Sequence, residues 1–140
     1  MTRINLVRVT ELSDQHLIAE YRELPRCIKQ DIDTSDAPEK YCLGKGHMKW
    51  AKKHSVFLII RYWYLCKEMK HRGFKLSYPY EDLKTYYKSN CKQENKYNYY
   101  PDWNDILLSR RRLLEKIAQK PTWYKWTKTI CPYNLKEYEK

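Results

Sequence analysis

Ser13-Asp14-Gln15-His16-Leu17-Ile18-Ala19-Glu20-Tyr21-Arg22-Glu23-Leu24-Pro25-Arg26 is the stretch on which the fold of this 140-residue chain turns. Ser13 reads as an N-cap, and Asp14 puts a carboxylate in the first turn, where the helix dipole favours it. Leu17, Tyr21, Leu24 and then Ile28 recur at helical spacing and define one buried stripe. Gln15, His16, Arg22, Glu23 and Arg26 crowd the opposite side. Pro25 interrupts the pattern. Inside a helix a proline removes one hydrogen bond and crowds the carbonyl four residues back, which costs ~3 kcal/mol. The spacing therefore predicts a long first helix with a bend, and beside the bend a carboxylate held between two arginines. Strain of this kind collects at functional sites. Taken alone, the segment better suits a solvated, charged turn at a helix end.

Upstream, Ile4, Leu6, Val7 and Val9 are apolar without helical spacing, so residues 2–10 read as an extended arm pinned on the core. Downstream, residues 31–42 form a polar loop and Gly44-Lys45-Gly46-His47 a tight turn. Residues 48–54, with Lys49, Lys52 and Lys53, read as a basic surface turn. A second helix is expected over residues 55–72, closed by Gly73 at C′. Its apolar stripe would be Val56, Ile59, Ile60, Trp63, Cys66 and Met69 or Lys70. The tyrosine-rich residues 75–101 read as a loop with one short helix around residues 81–88. A third long helix should begin at Asp102 or Asn104 and stop before Pro121. Trp103, Ile106, Leu107, Leu113, Leu114 and Ile117 would face inward, and Arg111, Arg112, Lys116 and Lys120 would form a basic side. The expected class is all-α: a single compact domain of three main helices, an N-terminal extended arm and long loops.

A formal net charge of +11 points to a polyanionic partner. Fourteen tyrosines and five tryptophans against two phenylalanines favour rings with polar edges and stackable faces, although core packing is the better account of any single one of them. Thr122-Trp123-Tyr124-Lys125-Trp126 interleaves such rings with a lysine, a pattern suited to a nucleic-acid edge. The five cysteines contain no CxxC, so no zinc or iron–sulfur site is indicated and free thiols are expected. The longest apolar runs are too short and too charged to span a bilayer. A soluble, intracellular, monomeric protein without metal or cofactor is expected.

No Ser/His/Asp arrangement and no nucleotide loop stands out. An α-amino group, with an ordinary pKa of about 7.7–8.0, is the readiest amine for Schiff-base chemistry. Thr2 has a side chain small enough for Met1 to be trimmed ahead of it. On residues alone, however, a non-catalytic basic helical DNA-binding module explains the charge and the helices more simply. An RNA-binding protein with tyrosine stacking platforms is a third reading.

Four blocks shift this balance: TRINL at residues 2–6, ELSDQHLIAEYRELPR at 11–26, LGKGH at 43–47 and EKIAQKPTWYKW at 115–126. In content and order they resemble the pyrimidine-dimer DNA glycosylase/AP lyase family, the phage-type endonuclease V. With a looser likeness over residues 67–74, they cover about half the chain. Residues 31–42 depart from the family in carrying little positive charge.

The resemblance implies double-stranded DNA containing pyrimidine dimers or abasic sites as the partner. It implies attack of the Thr2 α-amine on C1′ of the damaged nucleoside, with Glu23 as the catalytic carboxylate. Arg22 and Arg26 would clamp phosphates on either side of Glu23. Arg3, Gln15 and His16 would contact DNA near the lesion, and Arg112 and Lys116 would extend the basic surface, to which Lys125, on its place between rings, adds a nucleic-acid edge. A bent duplex, read partly through its deformability, would expose C1′.

Overall fold

The computed structural model describes residues 3–138, and every regular element among them is helical. Thr2, to which the resemblance assigns the nucleophile, lies outside the described residues. Helix α1 runs over Asp14–Lys29, α2 over His47–Lys53, α3 over Ser55–His71, α4 over Tyr80–Asn90 and α5 over Trp103–Gln119. The all-α expectation holds. Among the described residues the only pairing of β type is one isolated antiparallel bridge between His54 and Lys96.

Helix α1 forms as its sequence dictates. The Ser13 hydroxyl accepts from the His16 N–H at 3.1 Å, and Leu17, Tyr21, Leu24 and Ile28 are all buried. The helix continues through Pro25 to Lys29. Pro25 lies on the buried side of the helix, so the ring's apolar surface offsets part of the lost hydrogen bond. Helix α3 ends in a Schellman motif: Gly73, at φ +86, donates to the Lys70 carbonyl and Phe74 to that of Met69. Helix α5 starts with a capping box between Asp102 and Asp105.

Three expectations about packing are corrected. Residues 48–54 are not a surface turn but belong largely to α2, and its Trp50 is fully buried. His47, Trp50, Ala51 and His54 recur at helical spacing and all face inward beneath the lysines. Trp50 meets Tyr41, His54 and Tyr99 at ring-centroid distances of 4.9, 5.3 and 5.1 Å. On α3 the buried stripe is Leu58, Ile59, Tyr62, Leu65, Cys66 and Met69, whereas Ile60 and Trp63 are 47% and 40% exposed. This helix is apolar almost all round, so periodicity could not select its inner face. On α5 the inward residues are Asp105, Ser109, Leu113 and Ile117, while Trp103 and Leu107 face solvent. Two polar side chains turn inward there because each has a buried hydrogen-bonding task.

One such task is to hold the arm. Residues 4–7 run extended among α1, α2, α3 and α5 with no strand beside them, so side chains supply their backbone partners. The Ile4 N–H donates to His47 Nε2 at 3.0 Å, and its carbonyl accepts from the Tyr41 hydroxyl at 2.7 Å. The Asn5 N–H donates to Glu20 Oε1, the Leu6 N–H to Ser109 Oγ, and the Val7 carbonyl accepts from Arg61 Nη1. The arm is thereby fixed residue by residue.

The C-terminal tail wraps back over the start of α1. The Asp14 N–H donates to the Lys125 carbonyl, Trp126 Nε1 to the Glu11 carbonyl, and the Thr127 hydroxyl to the Asp14 carboxylate.

Candidate active site

The arm meets α1 at Glu20. Asn5 grips Glu20 through both its backbone N–H and its side-chain amide. Two residues nearer the terminus, the charge of Arg3 is felt by the Cys27 thiol together with those of Glu23 and Glu20. Burial, followed by Glu23 and Glu20, pushes that thiol up to about 12, so Cys27 is a packed, inert sulfur rather than a nucleophile. Arg3 anchors by donating from Nε to the Leu43 carbonyl at 3.0 Å, while its buried Nη1 has no hydrogen-bond partner.

Glu23, one turn beyond Glu20, has its side chain 16% exposed, and the Arg26 guanidinium is 3.7 Å away. Arg22 and Arg26 are four residues apart and therefore share one outward face of α1; the Arg26 side chain is 76% exposed. The helix thus keeps its carboxylate largely sheltered and turns its two guanidiniums toward solvent.

A second part of the site comes from α5 and the tail. His16 stacks on Tyr124 with centroids 4.7 Å apart and an interplanar angle of 16°. Its Nδ1 lies 3.0 Å from Ser13 Oγ. Burial, then the charges of Arg112 and Lys116, brings the His16 pKa down to about 4, so the ring is neutral at pH 7. Arg112 is half-buried, and burial with the like charge of Arg3 lowers its pKa. Arg3, His16, Arg112, Lys116 and Tyr124 therefore share one patch.

Gln15 and Lys125 sit at the edge of that patch. The Gln15 amide donates to the Trp123 carbonyl at 2.7 Å and accepts from the Lys125 N–H at 3.2 Å. It fastens the tail, while the Lys125 side chain is exposed. Among the described residues no group of three or more His, Cys, Asp or Glu side chains could hold a metal ion.

Residues 1–82, more than half of the chain, match the family model described as pyrimidine dimer DNA glycosylase. The chain belongs to this family.

A pyrimidine dimer DNA glycosylase acts on DNA, and the +11 net charge suits that substrate. The match spans the arm, α1, α2 and α3, and ends inside α4. Arg112, Lys116, Tyr124 and Lys125 lie beyond it. Among the described residues, no helix of this glycosylase is long and apolar enough to cross a membrane.

Sequence reasoning missed the residues that hold the arm. Glu20 is 0% exposed, and its two oxygens receive Arg61 Nε and Nη2. The available signal was a charged residue set among apolar neighbours: Glu20 beside Leu17, Tyr21 and Leu24, and Arg61 within the run 56–66. In the sequence His47 reads as the end of a glycine turn. Its buried ring in fact links that turn to the arm.

Proposed function

We propose that this protein excises pyrimidine dimers through its N-terminal α-amine and then nicks the resulting abasic site. After removal of Met1, the Thr2 nitrogen attacks C1′ of the damaged nucleoside. The bond from C1′ to the base nitrogen breaks, and the base leaves with its electron pair and gains a proton. The C1′–O4′ bond then opens, O4′ takes up a proton as the amine nitrogen gives up its own, and the opened sugar remains joined to that nitrogen as an imine. Loss of a proton from C2′ then expels the 3′-phosphate and cuts the strand. Hydrolysis of the imine frees the enzyme.

The observation that carries this reading is the hold of the arm on α1 one turn before Glu23: Asn5 is bonded to Glu20, and the charges of Arg3 and Glu23 both act on the Cys27 thiol. Glu23 there opposes the positive charge that grows on the sugar and takes up or relays the C2′ proton. Arg22 and Arg26, outward on the same helix, receive flanking phosphates. Arg3, His16, Arg112, Lys116 and Lys125 extend the DNA-binding surface. Gln15 serves it indirectly by fastening Tyr124 over His16.

Borohydride reduction in the presence of abasic-site DNA, followed by mass analysis of the adduct, tests the mechanism. The adduct is expected on residue 2. An adduct on an internal lysine, or none with fully trimmed protein, refutes it. Protein that keeps Met1 should be nearly silent, because the amine then moves by about 3.5 Å.

A further inference from the structure

His47 is 1% exposed and makes two hydrogen bonds of opposite sense. Its Nδ1 lies 2.6 Å from the Cys42 carbonyl, which can only accept, so Nδ1 carries the proton. Its Nε2 is 3.0 Å from the Ile4 N–H, which can only donate, so Nε2 offers its lone pair. The geometry selects one neutral tautomer. Around the ring, Tyr41 meets it edge-on at 5.6 Å and Trp50 stacks at 5.8 Å.

The turn that supplies this histidine is itself fixed. Gly46 has φ +97, and a Cβ there would come within 2.9 Å of Pro38 Cγ, so the turn has little freedom to shift the ring. The Cys42 carbonyl and the Leu43 carbonyl belong to the same turn. The first is held by His47, and the second accepts from Arg3 Nε. Residues 42–47 thus grip the arm at two consecutive positions, Arg3 and Ile4, directly before the chain end.

We propose that His47 is a positioning residue for the N-terminal amine: through its Nε2 lone pair it holds the Ile4 N–H and so sets where residue 2 stands against Glu23. This rests on the amine mechanism above. His47 touches neither substrate nor reacting atoms. Its effect reaches the chemistry through the few bonds that separate Ile4 from the amine. A misplacement of about 1 Å at a reacting centre costs ~10²-fold.

Two substitutions separate the two bonds. His47→Gln places an amide oxygen near the former Nε2 and keeps an acceptor for Ile4. His47→Asn keeps a donor for Cys42 but is too short to reach Ile4. For His47→Asn we expect the single-turnover borohydride-trapping rate to fall ~10²-fold while the Kd for dimer duplex is unchanged, and the Ile4 amide to exchange with solvent faster. His47→Gln should restore the rate to within a few-fold of wild type. Tyr41→Phe, which frees the Ile4 carbonyl and leaves His47 in place, should slow trapping several-fold. Undiminished trapping in folded His47→Asn overturns the proposal, and so does undiminished trapping in Tyr41→Phe if His47→Asn does not fold. Equal loss in His47→Gln and His47→Asn also overturns it, because the acceptor would then not matter. If wild type itself fails to trap at residue 2, the amine mechanism falls, and the role of His47 in it falls too.

Discussion

Arg61 on α3 and Glu20 on α1 form an ion pair inside the core, with side chains 8% and 0% exposed. Arg61 Nη2 meets Glu20 Oε1 at 3.1 Å, while Nε bonds Oε2. The pair also holds the arm: Glu20 accepts from Asn5, and Arg61 donates to the Val7 carbonyl. One buried contact thus joins the two central helices and fixes the chain segment that leads to the terminus. A buried pair is costly to desolvate, and removing one partner leaves an uncompensated charge.

Glu20→Leu or Arg61→Leu alone should therefore destabilise the protein by about 3–5 kcal/mol in urea unfolding. Glu20→Leu combined with Arg61→Leu should cost less than the two single changes added together. Additivity in that cycle would show that the partners do not act as a unit.

Glu23→Gln separates binding from chemistry. Glu23 is an acceptor beside Arg26, so the amide should leave the fold intact and bind dimer-containing duplex at least as tightly. It cannot supply a full negative charge or take up a proton, and base removal should slow by at least ~10². Single-turnover kinetics beside a binding titration decide the matter. Near wild-type cutting would leave only a binding role for this helix.

Replacing Arg22 or Arg26 by Gln should weaken binding to damaged and undamaged duplex alike. The slope of log K against log salt should flatten by about one unit for each lost phosphate contact. An unchanged slope for both variants would move the DNA to another face, with the lysines of α2 and its preceding turn the nearest alternative.

Acid should weaken the fold through its histidines. Burial depresses the His16 and His47 pKa values from 6.5 to about 4, aided by Arg112 and Lys116 for His16 and by Arg3 and Arg112 for His47. His54 is lowered too, chiefly by burial. The unfolded chain therefore binds more protons than the folded one between those values. Stability is full above about pH 6.5 and is lost as the pH falls toward 4, by about 3 kcal/mol for the fully enclosed His47 alone. Urea midpoints measured from pH 7 to 4.5 test this, and a flat profile would contradict the neutral, enclosed rings.

The sequence by itself determined the α1 stripe, its Ser13 cap, the Gly73 stop and the limits of α5 to within a residue or two, because caps, periodicity and stops act locally. It also determined the family, through blocks whose order survives without knowledge of their contacts. It could not select the inner face of α3, where apolar residues surround the helix, nor show that Trp50 draws residues 47–53 inward as a helix. Least legible was the support of the arm. Glu20, Tyr41, His47, Arg61 and Ser109 are scattered over 90 positions of sequence and meet at four backbone residues. An extended segment with no neighbouring strand must find its hydrogen-bond partners among side chains, and tertiary packing alone decides which ones arrive.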